Sequence, residues 1–462
     1  MENEEVLFWQ SVRYPKVKII ATIGPATNNE SSVRELINAG VNIFRLNFSY
    51  GTYDEHKQTI ELIRKLSRDR PIAIMQDICG PKIRITNLPK PVTVEQNSSF
   101  KIYRDEVNGL SISHSEILNS LDVGDLIYVA DGRVKLKITS IGDLYIEAKS
   151  LTSGVIKNGS GVNIPKGNLN IPAITQKDER DLEFGAKMGV DFVAVSFVES
   201  AEDIKKAKSI LIKNGSDAWV VAKIERKAAV DNFKEIANES DCVMVARGDL
   251  GAEIGLSRVP IIKRRIIAFA NEHCKPVIVA TQMLTSMINS STPTRAEVSD
   301  IANAVLTGAD CVMLSDETAI GKFYKEAVDI LRDTIIEAQS IYSYYIDYSA
   351  DKNEIIAKCA VEVSKKTDTS CIVSATETAY TVKQIAKFKP QKPIIAVTFN
   401  EGVKRRLAIV WGVADSIVLK RSDNAEDFIK SLDGTDIPKP FVLTMGSIIG
   451  KQGSTNMVRV FY

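Results

Sequence analysis

The sequence lacks the features that would commit it to several common classes of partner. Its six cysteines, Cys79, Cys242, Cys274, Cys311, Cys359 and Cys371, include no C-x-x-C pair and fall mostly in apolar runs. Neither a disulfide framework nor a zinc site fits that spacing, and buried thiols of a reducing cytoplasm are the expectation. Charge of one sign is not in excess. The formal net charge is +1, which gives no electrostatic drive toward nucleic acid or an acidic membrane surface. No apolar run approaches the ~20 residues of a membrane span, and the opening MENEEVLFWQ is acidic where a secretion signal would be basic. Low-complexity segments are absent as well. The expectation is a cytoplasmic protein that acts on a small molecule.

What is there is a chain of 462 residues, long for one core, so two or three domains are expected. From Lys16 short apolar runs alternate with helical patterns, the signature of parallel β/α units. The runs are VKIIATI, VNIFRLNF and IAIMQDI, then DFVAVSF, AWVVAKI, DCVMVAR, KPVIVAT and DCVMLSD. Between the third and fourth the chain turns β-branched, Asn-rich and Gly-rich, in pieces such as FKIYRD, DLIYVADG, VKLKITS and LYIEAKS. This pattern predicts an α/β fold: a (β/α)8 TIM barrel over residues 16–81 and 173–340, with an all-β domain inserted over 82–172. Residues 1–15 form an N-terminal segment in which Trp9 packs at an interface or frays. Over 341–462 the helix EIIAKCAVEVSKK and the strands SCIVSA, KPIIAVTF, DSIVLK and FVLTMG predict an α/β domain built on an open sheet.

Polar residues cluster where such a barrel keeps its active site, at the C-terminal ends of the strands. Arg45 and Asn47 close the second strand, Asp77 the third, Ser196 the fourth, Lys223 and Glu225 the fifth, Arg247 and Asp249 the sixth. Thr281 and Gln282 close the seventh, and Ser315 and Glu317 the eighth. Side chains alternate faces in an extended chain, so Lys223 and Glu225 share a side. The run CVMVAR ends in Gly248-Asp249-Leu250-Gly251, whose glycines would let backbone approach a ligand. Glu225 and Asp249 could hold a hard divalent cation, with Lys223 left to meet the negative charge it brings in. The same stretch also fits two buried strands ending in ordinary solvated charge.

The motifs KIIATIGPAT, FRLNFSYGT, GPKIR, AKIER, ARGDLGAEI, VIVATQML, PTRAEVSDIANAVLTGADCVMLSDETA and GSTNMVRV separate these readings. Through them the chain resembles the pyruvate kinase family over essentially its whole length. The resemblance implies phosphoryl transfer from phosphoenolpyruvate to ADP, giving pyruvate and ATP. It implies that Glu225 and Asp249 bind Mg2+ or Mn2+, that Lys223 stabilises the transition state, and that Arg45 and Arg84 contact phosphate, with Asn47 also on the nucleotide side. The backbone at Arg247 and Gly248 would receive the substrate carboxylate, and Thr281 would help place the proton donor. The inserted domain resembles a mobile lid, matched at Asp131 and GVNIPKGNLNIP. A homotetramer is implied too. A barrel aldolase or lyase acting on pyruvate or phosphoenolpyruvate is the rival enzyme, and ADP-dependent pyruvate formation separates the two; a catalytically silent relative that senses metabolites through its C-terminal domain is the rival of another class.

Departures from the family pattern carry further expectations. Asn47, Ser49 and Asp77 match residues that bind potassium in many members, but Ile78 stands where a threonine is usual and Lys82 where a glutamate is. A fixed ammonium would replace the recruited cation, so no potassium requirement is expected. The lysine pair expected before GVN is Gly159 and Ser160 here, with Lys157 or Lys166 as substitutes; Tyr50 stands where a histidine is common. In the effector loop TETAYT, which holds Thr376, Thr378 and Thr381, no base is present and Glu377 would repel phosphate. Little response to fructose 1,6-bisphosphate is expected, while the later loop GKQGSTN could still supply donors to a monophosphate.

Overall fold

Parallel strands covered by helices have no wet face, and the apolar runs of this chain meet that condition. The computed structural model describes residues 14–68, 70–105, 109–130, 132–165, 172–352, 354–422, 424–446 and 455–462. Strands β1 (Lys18–Ile23), β2 (Ile43–Asn47) and β3 (Ala73–Asp77) come first. An inserted unit follows with β4 (Ile85–Thr86), β5 (Val92–Val94), β6 (Ser99–Tyr103), β7 (Ser111–Ile112), β8 (Leu126–Val129), β9 (Val134–Ile141), β10 (Tyr145–Ser150), β11 (Gly154–Ile156) and β12 (Val162–Asn163). Then β13 (Phe192–Val195), β14 (Trp219–Ile224), β15 (Cys242–Ala246), β16 (Val277–Ala280) and β17 (Cys311–Leu314) complete a closed barrel in the order β1-β17-β16-β15-β14-β13-β3-β2.

The two-residue period of a strand divides the barrel's apolar side chains between two cores. Ile19 and Ala21 pack with the surrounding helices, in the cluster that holds Leu36 and Ile63. Ile20 joins Ile43, Met75, Phe192, Met244 and Met313 in the barrel interior. Local signals set the helices between strands. Asn29 caps the helix Glu30–Ala39 by accepting from the Ser32 N–H, and Gly40 ends it at φ 104°. The helix Tyr53–Leu66 starts in a Thr52/Glu55 capping box and ends at the C-cap Ser67, and Pro71 just beyond keeps Arg70 out of helical backbone.

The inserted unit has a separate core of Ile102, Leu118, Val129, Leu136 and Ile146, under a seven-stranded sheet ordered β12-β8-β9-β10-β6-β7-β4. Asp131, residues 166–171 of GVNIPKGNLNIP and the segment with Trp9 lie outside the described residues. At the C-terminal end, β18 (Cys371–Ala375), β19 (Ile394–Thr398), β20 (Val413–Val418), β21 (Phe441–Gly446) and β22 (Thr455–Phe461) form an open sheet ordered β20-β19-β18-β21-β22. The sequence pattern predicts four of these strands. The fifth, β22, runs antiparallel along the edge, and its half-exposed TNMVRVF lacks the continuous apolar run that marks the others.

The C-terminal domain closes the barrel's N-terminal mouth, where the interior core runs on into Ile372, Val382 and Leu407. Charged groups pin this contact. Lys389 donates to Asp310 at 2.8 Å with both side chains buried. Asp191 accepts from Arg64 at 2.6 Å, from Arg405 at 2.8 Å and from the Ile74 N–H at 2.8 Å. The described residues include no helix long and apolar enough to cross a membrane.

Candidate active site

At the opposite, C-terminal mouth the strand ends open into a cleft of about 130 Å³ lined by Arg45, Asn47, Ser49, Asp77, Lys82, Arg84, Ser196, Lys223, Glu225, Asp249 and Thr281, among others. The structure therefore brings these expected residues together from six separate strand ends, the second to the seventh, and from the start of the inserted unit. Asp77 is the hub. Its Oδ2 accepts from Arg45 Nε at 2.6 Å, and its Oδ1 faces Lys223 Nζ at 3.2 Å and Ser196 Oγ at 3.3 Å. Burial alone would push the Asp77 carboxyl up. The Arg45 guanidinium and the Lys223 ammonium outweigh that and hold it below the usual carboxylate range.

Arg45 is fixed twice, since its Nη1 also donates to Thr22 Oγ1 at 3.1 Å. Lys223 donates to Ser196 Oγ at 2.7 Å, and the Ser196 hydroxyl donates to the Ile78 carbonyl at 2.6 Å. Ser196 thus orients Lys223. Burial pulls the Lys223 ammonium down, but Asp77 and Glu225 together raise it above the ordinary lysine value. The amine stays charged across the physiological range.

Lys223 and Glu225 do share a side, with Nζ and Oε2 3.4 Å apart. Glu225 Oε1 accepts from the Phe197 N–H at 2.7 Å, whereas its buried Oε2 has no hydrogen-bond donor among the described residues. Burial, reinforced by Asp249 and Asp77, raises the Glu225 carboxyl against the opposing pull of Lys223. A buried carboxylate oxygen without a donor, beside a second carboxylate on the same cleft, fits a hard divalent cation. Asp249 itself lies in the first turn of the helix Arg247–Ile254, which follows β15 at once. The glycines of GDLG lie in that helix.

Several of the expected site residues bond to neighbouring protein groups in this structure. The Gly248 N–H, expected to face a substrate carboxylate, donates to Thr281 Oγ1 at 2.9 Å. Thr281 and Gln282 both adopt left-handed backbone, at φ 68° and 53°. The Arg247 side chain turns from the cleft into packing, donating to Asp300 and to the Thr281 carbonyl. Glu317 accepts from the Leu284 N–H at 3.0 Å and the Ser315 N–H at 2.7 Å, tying the seventh and eighth strand ends together. Asn47 Oδ1 accepts from the Ser49 N–H at 3.1 Å. Lys82 extends over the cleft and stands 3.5 Å from Asp249 Oδ1. Arg84 donates to the Gly159 carbonyl at 3.0 Å, joining the two segments that leave and re-enter the barrel mouth.

Two supporting residues escape sequence reasoning for different reasons. Thr22, a lone hydroxyl inside an apolar run, carried a legible signal. Phe197 acts through its backbone N–H at φ 56°, which no side-chain pattern reveals. Far from the cleft, the effector loop places Thr376 inside and Thr378 outside, and pairs the Thr381 and Thr455 hydroxyls at 2.8 Å. The loop is also not without a base: Arg421 stands 3.7 Å from Glu377. Of the later loop GKQGSTN, residues 450–454 lie outside the described residues.

Comparison with known proteins agrees with this geometry. The chain matches the pyruvate kinase barrel domain over residues 14–328 and the pyruvate kinase alpha/beta domain over residues 354–461. Proteins named pyruvate kinase from Staphylococcus aureus strains MRSA252, USA300 and N315 are each 37% identical over 469 aligned residues, covering 96% of this chain and 80% of theirs. With both domain types matched and the identity sustained along nearly the whole length, the chain belongs to the pyruvate kinase family.

Proposed function

We propose that this enzyme transfers the phosphoryl group of phosphoenolpyruvate to ADP at the cleft above the barrel, releasing pyruvate and ATP in the cytoplasm. The observation that carries the reading is the group of Arg45, Lys223 and Glu225 around Asp77, with two fixed cations on that buried carboxylate and beside them a Glu225 oxygen that has no hydrogen-bond donor among the described residues. Phosphoryl transfer asks chiefly for positioning and for positive charge near the equatorial oxygens. Glu225 and Asp249 would hold Mg2+ or Mn2+, which supplies charge neutralisation at the substrate oxygens. Arg45 presents its remaining Nη2 edge to phosphate, because Nε and Nη1 are committed to Asp77 and Thr22. Lys223, held by Ser196 and Asp77, keeps its ammonium beside the migrating group. Thr281 orders the proton donor for the enolate, and its bond to the Gly248 N–H supports an exchange in which substrate carboxylate displaces that hydroxyl.

The inserted unit acts as a lid that excludes water during transfer and carries Arg84 toward the nucleotide phosphates. Lys82 replaces the monovalent cation, and its place on the same cleft as Asn47, Ser49 and Asp77 supports that role. Activity then requires Mg2+ or Mn2+ and no potassium. Little response to fructose 1,6-bisphosphate follows from the unfavourable Glu377, which Arg421 partly offsets. The assembly is a homotetramer with allosteric control through the C-terminal domain. One experiment tests the reading: pyruvate release from phosphoenolpyruvate and Mg2+, with and without ADP, in potassium-free buffer. ADP-dependent release that KCl does not enhance supports it. Release that does not depend on ADP overturns the kinase reading, and strong activation by KCl overturns the role given to Lys82.

A further inference from the structure

The chain crosses between barrel and inserted unit twice, leaving after Gly80 and returning before Thr175, and both crossings meet one buried carboxylate. Asp178 Oδ1 accepts from the Gly80 N–H at 3.0 Å. Its Oδ2 accepts from the Thr175 N–H at 2.9 Å and from Thr175 Oγ1 at 2.6 Å. The Thr175 contacts are those of a capping box at the start of the helix Gln176–Met188. A capping box explains Oδ2 and leaves the Gly80 bond unexplained. The Thr52/Glu55 box of this chain shows the difference: Glu55 is exposed and serves its own cap, while Asp178 is fully buried and reaches across to a segment 98 positions earlier.

Gly80 is a pivot by construction. It sits at φ 64°, and a Cβ there would lie 2.9 Å from Phe197 Cδ2 and 3.1 Å from both Ser196 Cβ and the Ser196 carbonyl oxygen. The two residues it rests on are the ones that hold the reacting groups, since Ser196 Oγ accepts from Lys223 and the Phe197 N–H donates to Glu225. Two positions after Gly80, Lys82 reaches Asp249. One carboxylate oxygen therefore fixes the outgoing crossing against the supports of Lys223 and Glu225. The other fixes the returning crossing to a barrel helix.

We infer that Asp178 is a positioning residue that joins the two crossings of the inserted unit into one hinge and sets where that unit comes down over the barrel mouth. The inference rests on the lid reading above. Lys223 and Glu225 keep their own bonds to Ser196 and the Phe197 N–H when the Gly80 bond is lost, whereas the nucleotide that the lid covers depends on where the lid comes down. Loss of the Gly80 bond should therefore act on ADP and on turnover, and leave phosphoenolpyruvate affinity alone.

The test compares wild type with Asp178→Asn, and Thr175→Val with Thr175→Ser, the last keeping the hydroxyl as a conservative rescue. Steady-state kinetics are run with both substrates, alongside hydrogen exchange of the full chain with and without Mg2+, ATP and pyruvate. In Asp178→Asn, kcat should fall about tenfold and KM for ADP rise threefold or more, while KM for phosphoenolpyruvate stays within twofold. Thr175→Val should shift the same parameters in the same sense and Thr175→Ser should restore them. A kcat lowered only in proportion to the folded fraction, with both KM values unchanged, overturns the inference. If Asp178→Asn does not fold, the Thr175 pair decides alone. Wild-type residues 82–165 that gain no protection from the ligands would instead refute the lid reading, and protection equal in wild type and in the hinge variants would refute the role of Asp178 only.

Discussion

Lys223 shows how a single side chain is made fit for one task by its neighbours. Buried lysines ordinarily lose their proton, but here Asp77 and Glu225 more than offset desolvation. Arg45 illustrates the same economy of placement, with one edge spent on Asp77 and Thr22 so that the fork has a fixed aim. Replacing it by lysine keeps the charge and loses the fork; Arg45→Lys should raise KM for phosphoenolpyruvate about tenfold or more, read from initial rates. Glu253 supplies a titration that can be followed by stability alone. Burial lifts its carboxyl from the ordinary 4.5 to about 7, against the pull of Arg226. The folded protein therefore binds more protons than the unfolded chain between those values, and stability falls as pH rises from about 4.5 through 7. Denaturant unfolding at pH 5 and pH 8 should show this loss in wild type, and Glu253→Gln should diminish it.

At the scale of elements, strand ends carry the candidate site and strand starts hold the frame. The alternation of apolar runs with helical patterns was enough to predict the barrel, because parallel strands buried on both faces leave an unbroken hydrophobic signature. Lys223 and Glu225 were legible for a related reason, as charges whose spacing puts them on one side of an apolar strand. The strand β22 and the helix Arg247–Ile254 were not. An edge strand is half wet, and glycines at a helix start look like a loop until the turn forms around them. Hydrogen bonds made by backbone, such as the Phe197 N–H to Glu225, leave no trace in residue types. Strand starts carry their own prediction. Removing one partner of a buried ion pair leaves the other uncompensated, so Lys389→Ala should cost about 3–5 kcal/mol in denaturant unfolding. The strand-end chemistry lies at the opposite mouth, so the surviving folded enzyme should keep its turnover.

The whole molecule puts its three parts to different uses. The barrel supplies a rigid floor, the inserted unit a separately packed body over its mouth, and the C-terminal domain a cap bound through Asp191 and Asp310 to the other end. Only the barrel floor needs atomic exactness, and it is built from residues far apart in the chain: Arg45, Asp77, Ser196 and Lys223. Omission of potassium should leave turnover unchanged if Lys82 supplies the missing charge, and titration with KCl checks this at constant ionic strength. The account's central claim, that Lys223 steadies the group in flight, meets its most direct test in the rate of ADP-dependent pyruvate formation by Lys223→Gln under saturating Mg2+. The account predicts a fall of about 100-fold or more in kcat with KM for phosphoenolpyruvate within threefold. A variant that turns over at the wild-type rate would contradict it.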